Sequence, residues 1–314
     1  MLKNVSLMVT HRCNSRCQMC NIWKGSCAEL QPKEFGCLFA HAEFSEIEDL
    51  SITGGEPTLR ADLLELVDAV TGTLPKLRML FLCTNGTNVS AADAFVGRYS
   101  PKVEQVFVAT SIEGEEPVHR LIRGIGSYQS ALDMLRRCRR RNGDVRTIIS
   151  MTLTKYNCNP RQIEHVKHLA ASTGSTYTFK PVVVSPTYFG NRADAMSPSV
   201  EQLLSVASFV DELRARDPFM EVQWEYWKTG KLPMLQEDGG RIRCLAGDVF
   251  AFVRPTGEVF PCCMSSRKIG DLEHGVSTQP LIDLGSKEAC PCCQEMCIYP
   301  QINWREFSSW SGCK

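Results

Sequence analysis

The sequence reads as an α/β protein, a parallel sheet with covering helices, followed by a small cysteine-rich region. Three observations predict this. Strand-like apolar runs and helical periods alternate six times between residues 5 and 214. After residue 241 the helical period fades, and a hairpin pattern with many cysteines takes over. The 314 residues suffice for one large domain and a smaller one. The expected division is a sheet domain over 1–214, a linker over 215–240 and a metal-stapled domain over 241–314.

The first strand is Val5-Ser-Leu7-Met8-Val9, and a loop rich in cysteine follows it. Pro32, suited to a first helical turn, opens a helix over 32–42. Ile47–Thr53 is the second strand and runs into Gly54-Gly55-Glu56-Pro57. Residues 61–73 form an amphipathic helix with Leu63, Leu66, Val67 and Val70 on one face. Met79–Cys83 is the third strand, ending in Thr84-Asn85-Gly86, and Val103–Ser111 is the fourth, ending in Ile112-Glu113-Gly114. A helix over 127–141 turns Tyr128, Ala131, Leu132 and Leu135 inward. The fifth strand is Thr147–Leu153, a helix covers 160–173, the sixth strand is Thr176–Val184, and a last helix covers 199–214. Residues 185–198 read as a linker. This spacing suits a partial barrel and an open doubly wound sheet equally.

Composition narrows the function classes. The formal net charge is +0, which gives no electrostatic footprint for nucleic acid or an anionic membrane. The run Arg136–Arg141 fits a solvated helix face, with cations near a helix C-terminus. No apolar stretch reaches membrane-spanning length and no export signal is visible. The sixteen cysteines gather at ligand spacings, so reduced thiols holding metal in the cytoplasm fit better than disulfides.

Cys13, Cys17 and Cys20 stand at a C-x3-C-x2-C spacing on the loop that leaves the first strand. Loops at strand ends keep a site accessible on a rigid scaffold. Thiolates are the usual ligands of iron–sulfur clusters, and three of them leave one iron of a cubane open to bind something else. The Cys17/Cys20 pair alone would also suit zinc. The spacing, with the motifs that follow it in order, resembles that of the radical S-adenosylmethionine (radical SAM) enzymes. The resemblance implies a partial (β/α)6 TIM-like barrel. It implies a 4Fe–4S cluster on Cys13, Cys17 and Cys20 whose open iron is chelated by S-adenosylmethionine. It also implies hydrogen abstraction by a 5′-deoxyadenosyl radical and a flavodoxin- or ferredoxin-type reductant. Met19 stands where many members of the family have an aromatic residue, and a thioether can pack on a ring as well.

The strand-end motifs fit this family. Two glycines let the backbone approach a ligand, and Glu56 offers an acceptor for an ammonium group. Gly54, Gly55 and Glu56 resemble the family's motif for the amino group of S-adenosylmethionine. Ser111, Glu113 and Arg123-Gly124-Ile125-Gly126-Ser127 resemble the pattern S-x-D-G…R-G-x-G-S of members with SPASM or twitch domains, with Glu113 replacing the commoner aspartate. A hydroxyl and an acid suit ribose, and an arginine suits a carboxylate. Asn85 and Ser150, also at strand ends, are further cofactor candidates. His11, His119 and Trp23 read as structural residues.

The cysteine-rich region carries a second signal. Val249–Val253 and Glu258–Phe260 flank Pro255-Thr256-Gly257 as a β-hairpin, with Cys244 and Cys262 near its open ends. Cys290, Cys292, Cys293 and Cys297 follow. The layout resembles SPASM/twitch auxiliary domains, without the full SPASM cysteine block. It implies one auxiliary 4Fe–4S cluster on Cys244, Cys262, Cys290 and Cys293, with Cys292 or Cys297 as substitutes and Cys313 available to a second cluster. A zinc site is the alternative.

A cluster with four protein ligands can accept an electron without binding substrate. The expected reaction is therefore dehydrogenation at a carbinol carbon of a carbohydrate- or aminocyclitol-like small molecule. Epimerisation is its rival, with Cys263 as candidate hydrogen donor. Modification of a ribosomal peptide is the second reading. The small molecule is favoured here because the cysteine motif begins so near residue 1 that no peptide-recognition domain precedes it. A non-catalytic iron–sulfur or zinc module is the reading from another class.

Overall fold

The computed structural model describes residues 1–183, 185–191, 196–214 and 246–277. Its centre is a ten-stranded sheet in the order β10-β9-β8-β7-β1-β2-β3-β4-β5-β6. The first six strands are β1 (Asn4–Met8), β2 (Asp49–Thr53), β3 (Met79–Thr84), β4 (Gln105–Ser111), β5 (Val145–Leu153) and β6 (Thr176–Pro181). They lie side by side in chain order, and every pair is parallel. A doubly wound sheet would reverse its order at a switch point. No reversal occurs here, so right-handed crossovers all turn the same way and put their helices on one face. That winding is the partial barrel, and it settles the ambiguity left by spacing.

The helices are α1 (Pro32–Phe39), α2 (Leu63–Thr71), α3 (Val89–Tyr99), α4 (Glu116–Arg123), α5 (Tyr128–Arg139), α6 (Pro160–Thr173), α7 (Val200–Ser205) and α8 (Ala207–Arg214). Two of them, α3 and α4, were not expected. The core-facing residues of α3 are widely spaced among small and polar ones, but Asn88 was a readable cap: its side chain accepts from the Ala91 N–H at 3.2 Å. In α4 the Pro117 at its start was the readable signal. The helix expected over 199–214 is two, broken where the backbone at Val206 leaves the helical region. The arginine run is mostly exposed, as a solvated face is, and Arg137 of α5 and Arg141 just beyond its end both pair with Asp93 of α3. Among the described residues no helix is long and apolar enough to cross a membrane.

The sheet has two unlike faces. Val5, Leu7, Leu50, Ile52, Leu80, Leu82, Val106, Val108, Ile149 and Met151 are buried against Leu66, Val67, Phe95, Leu135 and Val166 of the helices, in one core. Truncating such a buried leucine to alanine costs about 2–5 kcal/mol. The alternate residues share the other, inner face. In register across the strands they are Asn4, Asp49 and Met79, then Ser6, Ser51, Phe81 and Phe107, then Cys83, Ala109 and Ile148, and at the top Ser111, Ser150 and Thr178. Many of these are only half-buried, and among the described residues no helix covers this side.

The hairpin forms as expected from β7 (Phe250–Val253) and β8 (Val259–Phe260). Its first strand, however, joins the main sheet. β7 pairs parallel with β1, with Asn4 opposite Phe250 and Ser6 opposite Phe252. The short strands β9 (Gly270–Asp271) and β10 (Gly275–Val276) continue the sheet outward.

Candidate active site

Parallel strands all end on one side, and their connecting loops gather there. The loop after β1 carries Cys13, Cys17 and Cys20, and it is held from three directions. The Arg16 N–H donates to Arg123 O at 3.0 Å and the Gln18 N–H to Ile122 O at 2.9 Å, which fixes it on the end of α4. Asn85 Nδ2, at the end of β3, donates to Asn14 Oδ1 at 2.7 Å and to Ser15 Oγ at 3.0 Å. Asn191 Nδ2 donates to Met19 O at 2.8 Å, and the Asn21 N–H donates to Phe189 O at 2.7 Å. Met19 packs with Cys17, Ile122 and Met196.

None of the three thiols is in a disulfide. Cys13 and Cys17 each raise the pKa of Cys20, which burial pushes up to about 12, so the three thiols feel one another's charge. The opposing cation is Arg123. Its Nη1 lies 3.5 Å from Cys17 Sγ, and its Nη2 lies 2.5 Å from Glu113 Oε1. Three thiols on one anchored loop, beside one half-buried guanidinium, fit the three-cysteine donor set of a cluster with one open iron. Among the described residues, no three His, Cys, Asp or Glu side chains close around a single metal ion.

Gly54 and Gly55, expected to let the backbone approach a ligand, also pack closely against the chain itself. The Gly55 N–H donates to Thr10 O and the Glu56 N–H to Arg12 O, both at 2.8 Å. A Cβ on Gly55 would lie 2.6 Å from His11 O and closer still to Arg12 O. Here the close backbone approach is to the root of the cysteine loop.

Glu56, Asn85 and Glu113, expected as cofactor contacts, have side chains that are also engaged within the protein. Glu56 is 0 % exposed. Its carboxylate accepts from the Thr58 N–H at 3.0 Å, Thr58 Oγ1 at 2.5 Å, Thr84 Oγ1 at 2.7 Å and the Asn85 N–H at 2.6 Å. Those four donors match the roughly four acceptor sites of a carboxylate. Asn85 Oδ1 accepts from the Thr87 N–H at 3.0 Å and the Thr87 hydroxyl at 2.7 Å, so both ends of its amide are engaged. Glu113, also 0 % exposed, accepts from Arg123 and from the Thr152 N–H at 2.7 Å. Burial pushes its carboxyl upward, while Arg123 and the Thr152 N–H pull the other way. In short, the three acidic and amide groups brace the strand ends and the cysteine loop. Ser111 and Ser150 keep their half-exposed places side by side on the inner face.

His119 is structural, as expected. Its Nδ1 accepts from the Glu113 N–H at 3.3 Å, which leaves the proton on Nε2, 2.9 Å from Ser127 Oγ. Burial, assisted by Arg123, lowers its pKa to about 4. His11 stands with Nδ1 3.2 Å from Cys27 Sγ, a contact its sequence surroundings did not signal. Trp23 packs under the Arg16 guanidinium, 4.4 Å from its ring centre.

The strap 185–191 was read only as a linker, and it connects two parts of the site. Tyr188 places its ring against Phe252 and its hydroxyl 3.5 Å from Thr53 Oγ1. Thr187 Oγ1 donates to Met264 O at 3.2 Å and lies 3.4 Å from Cys263 O. Cys262 and Cys263 are buried just beyond β8. The other expected auxiliary ligands, Cys244, Cys290, Cys292, Cys293, Cys297 and Cys313, lie outside the described residues.

Comparison with known proteins agrees with this geometry. The family model of the radical SAM superfamily matches residues 7–169. The chain is 31 % identical to the pre-heme d1 synthase of Dinoroseobacter shibae over 48 % of its own length and 36 % of that protein. It is 26 % identical to the mycofactocin maturase MftC of Mycolicibacterium smegmatis over 81 % of its own length and 62 % of that protein. It thus spans between about a third and two thirds of these relatives. Streptococcus suis SuiB bound to its precursor peptide SuiA has the same fold, with a TM-score of 0.65 at 13 % identity over 90 % of this chain and 64 % of that one. AdoMet-bound anSMEcpe does too, with a TM-score of 0.62 at 17 % identity over 87 % and 78 %.

Proposed function

The chain belongs to the radical SAM superfamily, and on that premise we propose that it abstracts hydrogen from a carbinol carbon of a carbohydrate- or aminocyclitol-like substrate lying on the inner face of the sheet. The observation that carries the substrate class is the make-up of that face. Phe81 and Phe107 stack with ring centres 4.3 Å apart, and Ser6, Ser51 and Thr53 share their face. Aromatic surface beside hydroxyls suits a ring that is apolar on its faces and polar at its rim.

Cys13, Cys17 and Cys20 would hold the 4Fe–4S cluster. The Gly54–Gly55 backbone and the Ser111 and Ser150 hydroxyls would hold S-adenosylmethionine. When bound and reduced, the pair supplies a 5′-deoxyadenosyl radical. Arg123, fixed by Glu113, balances thiolate charge at Cys17 and keeps the loop on α4. Tyr188 and Phe252 wall the inner face and limit water there. The Cys262 segment would carry the auxiliary cluster as electron acceptor for dehydrogenation, with a proton leaving the carbinol oxygen. Cys263 is the candidate hydrogen donor if the outcome is epimerisation.

A ribosomal peptide is the second reading. Its support is the names of relatives: MftC is a maturase, and SuiB is seen with a precursor peptide.

The test is anaerobic turnover in deuterated water with a chemical reductant. Cleavage of S-adenosylmethionine by the native chain, lost in Cys17→Ser, is expected. Intact clusters without cleavage would overturn the radical reading. With glycoside or aminocyclitol substrates, product lighter by two hydrogens means dehydrogenation, and product carrying one deuterium means epimerisation. Turnover of peptides only would replace the carbohydrate reading with the second one.

A further inference from the structure

The lower end of the inner face holds two polar side chains, each with a buried oxygen that has no partner. Asn4 opens β1 and Asp49 opens β2, and the two stand opposite each other in register. Asn4 is 3 % exposed and Asp49 6 %. Asn4 Oδ1 and Asp49 Oδ1 are both buried and accept no hydrogen bond. Buried acceptors are nearly always satisfied, and one left bare costs about 1–3 kcal/mol, more if charged. Two bare acceptors side by side, one of them on an acidic side chain, therefore weaken the fold rather than support it.

Among the described residues, no cation fills the gap. The charges that Asp49 feels are Glu48 and Arg78. Arg78 is committed to Glu104, with contacts of 2.6 and 2.8 Å, and Glu48 to Lys3 at 2.8 Å. The neighbours of the pair in register are Met79 on β3 and Phe250 on β7, neither of which donates from its side chain. Ser6 and Ser51 lie one step above, on the same face.

We propose that Asn4 and Asp49 form a subsite for a primary ammonium group of the substrate. An ammonium has three donors and a charge, and it satisfies a carboxylate and an amide oxygen together. The inference rests on the reading that substrate lies on the inner face. Asn4 is four residues below Met8, on the order of 13 Å at about 3.3 Å per residue. The ammonium thus sits about one strand length below the cofactor end. The substrate must be extended: an amino group on a second ring of a glycoside, or a lysine side chain of a peptide. The chemistry is shared, and the source is open to experiment.

The test is calorimetric binding to the full chain with no turnover, so that its failure is distinct from failure of the radical reading. One probe pair is a two-ring aminoglycoside and its analogue with hydroxyl in place of the distal amine. The other is a lysine-containing peptide and its norleucine analogue. In the native chain the amine of one pair is expected to bind at least about tenfold tighter than its neutral analogue. The pair that discriminates identifies the source. Asp49→Asn keeps shape and removes charge, and it should cut that ratio to about twofold or less. Asn4→Ala should lower it partway. Equal binding of amine and neutral analogue in both pairs overturns the proposal. So does a ratio that survives in Asp49→Asn.

Discussion

Arg123 joins the cysteine loop to a buried acid: its Nη1 lies 3.5 Å from Cys17 Sγ while its Nη2 lies 2.5 Å from Glu113 Oε1. Removing one partner of a buried pair leaves an uncompensated charge, at a cost of about 3–5 kcal/mol. Arg123→Ala should therefore lower the melting temperature and the iron bound per chain after anaerobic reconstitution. Arg123→Lys should restore part of the stability but less of the iron, because an ammonium cannot bridge both groups as a planar fork does. Native iron content and melting in Arg123→Ala would show that the bridge is incidental.

Two buried titrating groups set opposite pH slopes. Burial, aided by Glu48 and opposed by Arg78, pushes Asp49 up to about 7. Its stabilising contribution is full below the unfolded value of about 4 and is lost as pH rises through about 7. Burial lowers His119 to about 4. Its contribution is full above the unfolded value of about 6.5 and is lost as pH falls through about 4. Each is worth a few kcal/mol, at about 1.4 kcal/mol per unit, and between about pH 4 and 6.5 they offset each other. Asp49→Asn should then make stability rise with pH over that range, and His119→Gln should make it fall. Melting curves from mildly acidic to mildly alkaline buffer check both signs, and slopes parallel to the native chain would contradict the assignment.

Gly55 is packed against the backbone of His11 and Arg12, where any Cβ collides with carbonyl oxygens. Gly55→Ala should shift the root of the cysteine loop while the hydrophobic core stays intact. The expected outcome is a folded protein, with near-native far-ultraviolet circular dichroism, that takes up much less iron. Full iron uptake would mean that the loop tolerates the shift.

Asn191 is the clasp of the strap. Its Nδ2 donates to Met19 O and to Val183 O, both at 2.8 Å, and its Oδ1 accepts from the Ser185 N–H at 2.6 Å. Asn191→Ala leaves these buried groups unsatisfied, at about 1–3 kcal/mol. Proteolysis at 185–191 should accelerate and substrate-dependent cleavage of S-adenosylmethionine should fall. Unchanged protease sensitivity would place the clasp elsewhere.

The parallel sheet, its six central strands and the hairpin were readable, because apolar period and turn residues report local structure directly. The helix α3 escaped, since its inward residues are diluted by small and polar ones. In the site, Cys13, Cys17 and Cys20 stood out through their spacing together with the strand-end motifs that follow it. The internal hydrogen bonds of Glu56, Asn85 and Glu113 did not, because a motif names residues without saying which side of a strand end their hydrogen bonds occupy. The strap was missed for a related reason: Thr187, Tyr188 and Asn191 acquire meaning only through partners distant in sequence. Asn4 and Asp49 did leave a trace, as part of a polar alternation with Ser6, Ser51 and Thr53 along two strands whose other residues are apolar.

The placement of β1 between β2 and β7 has a consequence for biosynthesis. β1 is made long before β7 and keeps one open edge until Phe250 leaves the ribosome. At roughly 5–20 residues per second that wait is on the order of tens of seconds. During it, an unpaired row of backbone donors and acceptors stands next to three thiols, exposed to aggregation and oxygen alike. Cells making this protein therefore gain from chaperone shielding of the nascent segment that carries β1 and the cysteine loop, and low expression temperature should raise its soluble yield.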